Sequence, residues 1–191
     1  MRKTGLLAFS FLIFLLSFNI YFAKNFSFAQ EPVSSDSAQK VNYELPYPGL
    51  LPDHPLYFLR IIRDKIVGFL ISDVKRKAEF DLLQSDKRLN AGAYLFNKKK
   101  FEEAISVISK AENYFGQALQ KTKEARGQGM ETTEIANKLI DSSKKHQEVL
   151  KSLEKKSPQN FKSSFNIQLQ RVDKFVEEAI SLTLKELNKS K

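Results

Sequence analysis

Residues 101–119 read FEEAISVISKAENYFGQAL, and they decide the fold class. Phe101, Ala104, Ile105, Ile108, Ala111, Phe115, Ala118 and Leu119 recur at three- and four-residue steps, with Glu, Ser, Lys, Asn and Gln between them. That spacing gathers the apolar side chains into one stripe of an α-helix and leaves the polar ones on the opposite face. Working outward from this stretch, the polar turn Lys98-Lys99-Lys100 precedes it and Gly127-Gln128-Gly129 stops it. Upstream, Ala78, Leu82, Ser85, Leu89, Gly92 and Phe96 trace a second stripe, opened by Ser72-Asp73 as a cap and ending near Asn97. Downstream, Ile135, Leu139, Ser142, His146, Val149, Leu150 and Leu153 form a helix starting at Thr132 or Thr133. Ser157-Pro158 closes it and opens a last helix, with Ser157 as N-cap, through Phe161, Phe165, Leu169, Val172, Phe175, Val176 and Ala179.

An earlier helix is expected to start at Asp53, as N-cap, with Pro55 in its first turn. Leu56, Leu59, Ile62, Ile66, Phe69 and Leu70 give it an apolar stripe of its own. No stretch alternates with period two for long enough to demand a strand. The expectation is an all-α, antiparallel bundle of about five helices with a phenylalanine-rich core. The alternative arrangement leaves the last two helices protruding as a coiled-coil hairpin, beside a tighter bundle of the first three.

The chain opens MRKTGLLAFSFLIFLLSFNIYFAK. Arg2 and Lys3 precede an apolar core, Leu6 to Phe18, of the length found in signal peptides, and Ser27-Phe28-Ala29 has small residues where a signal peptidase wants them. Residues 1–29 are therefore expected to be a signal peptide, or an uncleaved membrane anchor if the whole run from Thr4 to Ala23 spans. Residues 30–42, rich in Ser, Asp, Gln and Lys, read as a flexible linker. The helical domain is placed at residues 43–191. It begins with an extended Pro-rich strap, residues 43–53, expected to lie across the helices as part of the core or to dock a partner.

Composition narrows the chemistry. The chain of 191 residues has no cysteine, no tryptophan and two histidines, which excludes thiolate metal sites, disulfides and a cysteine nucleophile. No cofactor, metal or catalytic residue is expected, and the protein is read as a non-enzyme. His54 is assigned to the helix start, and His146, on an apolar stripe, to packing. The formal net charge is +9, falling to +6 once the signal takes Arg2, Lys3 and Lys24 with it. From His54 to Lys100, eleven basic residues stand against five acidic ones. The clusters Lys75, Arg76, Lys77 and Lys98, Lys99, Lys100 offer contacts to an anionic phospholipid or cell-wall polymer. Aromatic residues sit on the stripes and not among the charges, which disfavours nucleic acid.

One motif stands out: Pro48-Gly49-Leu50-Leu51-Pro52-Asp53-His54-Pro55-Leu56-Tyr57-Phe58-Leu59-Arg60. It resembles the lead motif of a family of exported bacterial helical proteins known only as a domain of unknown function. KRKAEFDLLQSDKRLN at 75–90 and Lys145 to Leu150 are similar to that family's later helical segments, so the likeness runs from about Tyr43 to Leu153. It implies an extracytoplasmic all-helical module behind a signal or anchor, with no activity or ligand to carry over. A weaker similarity, to one tetratricopeptide hairpin, rests on Gly92, Ala104 and Ala111 and is read as generic close helix packing. The expected function is a non-enzymatic interaction or scaffold module outside the cytoplasmic membrane, holding a protein partner of the cell envelope. An electrostatic binder of anionic envelope surfaces is the alternative.

Overall fold

The computed structural model describes residues 41–187. The expected signal or anchor and most of the expected linker fall outside the described residues. Within them lie five helices and no strand: α1 (Tyr57–Leu70), α2 (Val74–Asn97), α3 (Phe101–Gly127), α4 (Thr133–Lys156) and α5 (Gln159–Leu187). Helices α2 to α5 form a four-helix bundle. The hairpins α2–α3 and α4–α5 have short turns that force antiparallel neighbours, and further seams join α3 to α5 and α2 to α4. The α4–α5 hairpin therefore packs on its neighbours and does not protrude. The helix that stands apart is α1, which shares no comparable seam with any other.

Every stripe residue of α2 is buried, as are most of those of α3 and α4; in α5 Phe165, Val172 and Ala179 are buried and the rest of the stripe half-buried. They form two apolar clusters stacked along the bundle. One gathers Leu89, Leu95, Phe96, Ile108, Leu150, Phe165 and Val172. There Phe96 meets Phe101 and Phe165 edge-on, at centroid separations of 5.1 and 5.5 Å. The other gathers Leu82, Phe115, Leu119, Ile135, Leu139 and Leu182. Small residues let α2 and α3 approach closely: a Cβ on Gly92 would stand 2.4 Å from Ile108 Cγ1 and 3.3 Å from the Ala104 carbonyl oxygen. At the α2 N-terminus Asp73 accepts a hydrogen bond from the Arg76 N–H at 2.7 Å, the expected cap. At its C-terminus Lys99 takes φ +61° so that the Lys100 N–H can reach back to the Leu95 carbonyl.

Three expectations need correction. The first helix starts at Tyr57 and not at Asp53: a turn comes between, with the His54 N–H on the Leu51 carbonyl and the Tyr57 N–H on the His54 carbonyl. Asp53 caps nothing; its carboxylate joins Lys98 and Lys100 across space. Ser157 ends α4, donating its hydroxyl to the Glu154 carbonyl at 2.8 Å. The largest departure is the α1 stripe. Leu56, Leu59, Ile62, Ile66, Phe69 and Leu70 are all exposed, Phe69 at 87 % and Leu70 at 70 %, while the buried residues of α1 are Arg60 and Asp64.

Candidate functional site

The inversion of α1 has a local cause. Its inner face carries Arg60, Asp64 and Gly68, one residue per turn. Asp64 is buried among three guanidiniums: Arg63 donates to Oδ1 at 2.7 Å, Arg60 stands 3.7 Å and Arg88 of α2 3.8 Å from Oδ2. Arg60 also donates to the Leu50 carbonyl of the strap at 2.7 Å, and Arg88 lies 4.2 Å over the Tyr114 ring. At Gly68 a Cβ would meet the tip of Lys77 at 3.0 Å and the Phe80 ring at 3.2 Å, and Lys77 donates to the Gly68 carbonyl at 3.1 Å. A buried carboxylate cannot leave such partners without a large desolvation penalty, so the polar seam fixes which way α1 turns. Its apolar residues are left pointing outward.

The lead motif is the clasp that holds this arrangement. Pro48 is buried, Gly49 takes φ +72°, a value that suits glycine, and Leu51 packs on the first apolar cluster. Leu50 supplies the carbonyl for Arg60, and Pro52 leads into the turn at Asp53 and His54. Hydrogen bonds from Lys98 and then Lys100, at 3.0 and 3.2 Å, hold the Asp53 carboxyl below its ordinary range. His54 serves the helix start: its Nδ1 accepts from the Leu56 N–H at 3.1 Å. Pro55 lies in the turn before α1, and Tyr57 opens the helix with its ring 5.9 Å from the Arg60 guanidinium. Between strap and helix lies an open cleft of about 190 Å³, lined by Tyr47, Pro48, Gly49, Arg60, Arg63 and Lys87.

The basic clusters are largely engaged within the chain. Lys75 pairs with Glu131 at 3.4 Å and Lys77 with Asp81 at 3.6 Å, while Lys98 and Lys100 share Asp53. Arg76 and Lys99 are exposed.

A second polar group sits inside the bundle, between the two apolar clusters. His146 is fully buried, with Nδ1 3.0 Å from Glu112 Oε1 and Nε2 3.1 Å from Asp86 Oδ1. Burial pulls its pKa down, but the Glu112 and Asp86 carboxylates outweigh it and raise it to about 9. The protonated ring donates from both nitrogens, one to each carboxylate. Asp86 also accepts from the Ser142 hydroxyl and from Tyr43 of the strap, each at 2.6 Å. Burial and the adjoining Asp86 raise the Tyr43 hydroxyl well above its ordinary pKa. The strap is further tied by Asn90 to the Pro46 carbonyl, and the residues just before it by the Val41 N–H to Glu148. His146 is thus a packed residue, as expected, but one paired with two buried carboxylates. Helical pattern alone missed Asp86 and Glu112, although both stand thirteen residues from Lys99, one on each side. In an antiparallel hairpin that symmetry sets them opposite each other.

The group is sealed from solvent, so it braces the bundle and offers no surface for chemistry. The exposed feature is α1. No described helix is long and apolar enough to cross a membrane. Among the families compared, Domain of unknown function (DUF5667) matches residues 49–160, which takes in the clasp, α1 and α2 through α4. No curated protein and no solved structure matches the chain.

Proposed function

We propose, for a chain that belongs to the DUF5667 family of domains of unknown function, a non-enzymatic interaction or scaffold role outside the cytoplasmic membrane. The outer face of α1 is its contact surface. One observation carries this reading: seven large apolar side chains of α1 are exposed to solvent while the buried seam of Asp64 prevents the helix from turning them inward. A contiguous apolar patch of this size is unfavourable in water and marks a surface that is covered in use. The bundle below it is a rigid platform, with its apolar stripes already satisfied. The N-terminal run with its basic start and small-residue cleavage pattern supports the extracytoplasmic address.

The electrostatic alternative, binding an anionic envelope surface through Lys75, Arg76, Lys77 and Lys98, Lys99, Lys100, is less well supported. Four of those six cations already face carboxylates of the same chain. Site-specific photo-crosslinking in the producing cell separates the two. A photoreactive residue at Ile66 or Phe69 gives adducts with envelope components, and one at Arg76 or Lys99 gives none. Adducts at Arg76 and Lys99 with none on α1 would overturn the assignment in favour of the basic clusters. Digestion of intact cells by added protease checks the address: cleavage supports it, and full protection of the chain contradicts it.

A further inference from the structure

Resting on the reading that α1 is the contact surface, we propose that its occupant is the face of an anionic lipid bilayer, with α1 lying in the plane of the interface. The distribution of side chains around the helix carries this. At 100° per residue, Phe58, Phe69, Ile62, Ile66, Leu59 and Leu70 fall within an arc of about 120°. Lys65 lies about 20° beyond one edge and Arg63 about 20° beyond the other. An apolar arc with a cation on each rim suits an acyl layer below anionic headgroups: the rings and branched chains enter the hydrocarbon boundary while the cations stay level with the phosphates. No acidic side chain sits on the outward arc, since the single carboxylate of α1, Asp64, is turned into the protein.

Charge around the helix points the same way. Three guanidiniums surround Asp64, so the seam keeps an excess of two positive charges. Arg60 and Arg63 join Lys87 on the cleft beside the strap, with Pro48 and Gly49 as its floor. A phosphate of a lipid headgroup placed there meets cations on the same edge of α1 as Arg63.

A second copy of the chain fits the face less well. Arg63 and Lys65 lie at the middle of the fourteen-residue helix. Pairing α1 with another α1 about a two-fold axis therefore brings the cations of one opposite those of the other, with no free carboxylate to answer them. The arc is also wider than the seam one partner helix covers, whereas a bilayer deforms around all of it. Finally, the uncharged run from Thr4 to Ala23 lies upstream of α1, and its reading as a signal or anchor would bring the chain to a membrane whether or not it is later removed.

The test uses the full chain, whose lack of cysteine makes single-site labelling clean. An environment-sensitive fluorophore is attached at Ile66→Cys, or at Asn166→Cys on α5, a helix with no seam to α1. Vesicles contain phosphatidylglycerol in phosphatidylcholine, or phosphatidylcholine alone. The Ile66 label shifts to the blue and becomes protected from an aqueous quencher on the anionic vesicles, while the Asn166 label does not. An N-terminal run held in the bilayer leaves both labels aqueous, so it does not mimic this result. Lys65→Gln, at the exposed rim of the arc and outside the Asp64 seam, weakens the response by about fivefold.

An Ile66 label that stays aqueous on anionic vesicles would overturn the lipid assignment, with the crosslinking experiment left to judge the contact face itself. Shielding without vesicles that grows with protein concentration would overturn it in favour of a second copy. An equal response on phosphatidylcholine alone would overturn the anionic requirement.

Discussion

Replacing His146 with glutamine removes the one cation between two buried carboxylates, and its cost follows from the geometry. His146 has a pKa of about 9 in the folded chain against 6.5 for the free side chain. A displacement of that size is worth about 3 kcal/mol of stability. The route through the charges gives the same order, since deleting one member of a buried ion pair costs about 3–5 kcal/mol. Because the folded pKa lies above the unfolded one, the contribution is complete below pH 6.5 and is lost as pH rises through about 9. Beside this group Tyr43, hydrogen-bonded to Asp86, adds to a loss on the alkaline side. Its burial holds the hydroxyl neutral in the fold, so its effect starts only above the free tyrosine pKa of 10.0. Urea unfolding followed by circular dichroism at a series of pH values between 6 and 9.5 reads the effect. The native chain should lose about 3 kcal/mol across that window. His146→Gln should be less stable at the acid end and nearly flat across it. A flat profile for the native chain, or an undiminished slope in His146→Gln, would refute the reasoning.

Further outcomes follow from other contacts. Gly92→Ala drives a Cβ to 2.4 Å from Ile108 Cγ1, so the chain should lose about 1–3 kcal/mol in spite of the better helix propensity of alanine; Ile108→Ala in the same chain should return part of it in a double-mutant cycle. Lys99→Gly should stabilise by roughly 0.5–1 kcal/mol in the same unfolding assay, because φ +61° strains a side-chain-bearing residue and suits glycine. Asp64→Ala leaves Arg60 and Arg88 without their shared carboxylate, and amide exchange should quicken across residues 57–70 while α2 to α5 keep their protection.

Much of the bundle was legible because its stripes carry two kinds of information at once. In α2 and α3, periodicity shows which face is apolar, and the short turn at Lys98 to Lys100 shows what that face must meet. The same reasoning failed at α1. Periodicity found its apolar face correctly, but burial is decided by the partner, and here the partner side was claimed by a buried carboxylate with three arginines from two helices. A trace of this lies in the sequence: Arg60, Asp64 and Gly68 form a polar and small row at four-residue steps, opposite the apolar one. Asp53 misled for a simpler reason. An aspartate followed two residues later by proline has the chemistry of a helix start, but a further turn intervenes and the carboxylate finds two lysines that are distant in sequence. The three-residue group of His146, Asp86 and Glu112 needed the hairpin register, which the equal spacing about Lys99 supplied but the stripes did not.

The most direct test of α1 as an outward, lipid-facing helix is a nitroxide scan, one cysteine at a time from Tyr57 to Leu70, on the full chain with phosphatidylglycerol-containing vesicles. Accessibility to a lipid-soluble relaxant should oscillate with the helical period and peak at Ile62, Ile66 and Phe69. The labels at Ile61 and Gly68, on the side toward the bundle, should be reached by neither lipid-soluble nor aqueous relaxants. A scan with no oscillation, or with its maxima at Tyr57 and Ile61, would contradict the orientation on which the proposed function rests.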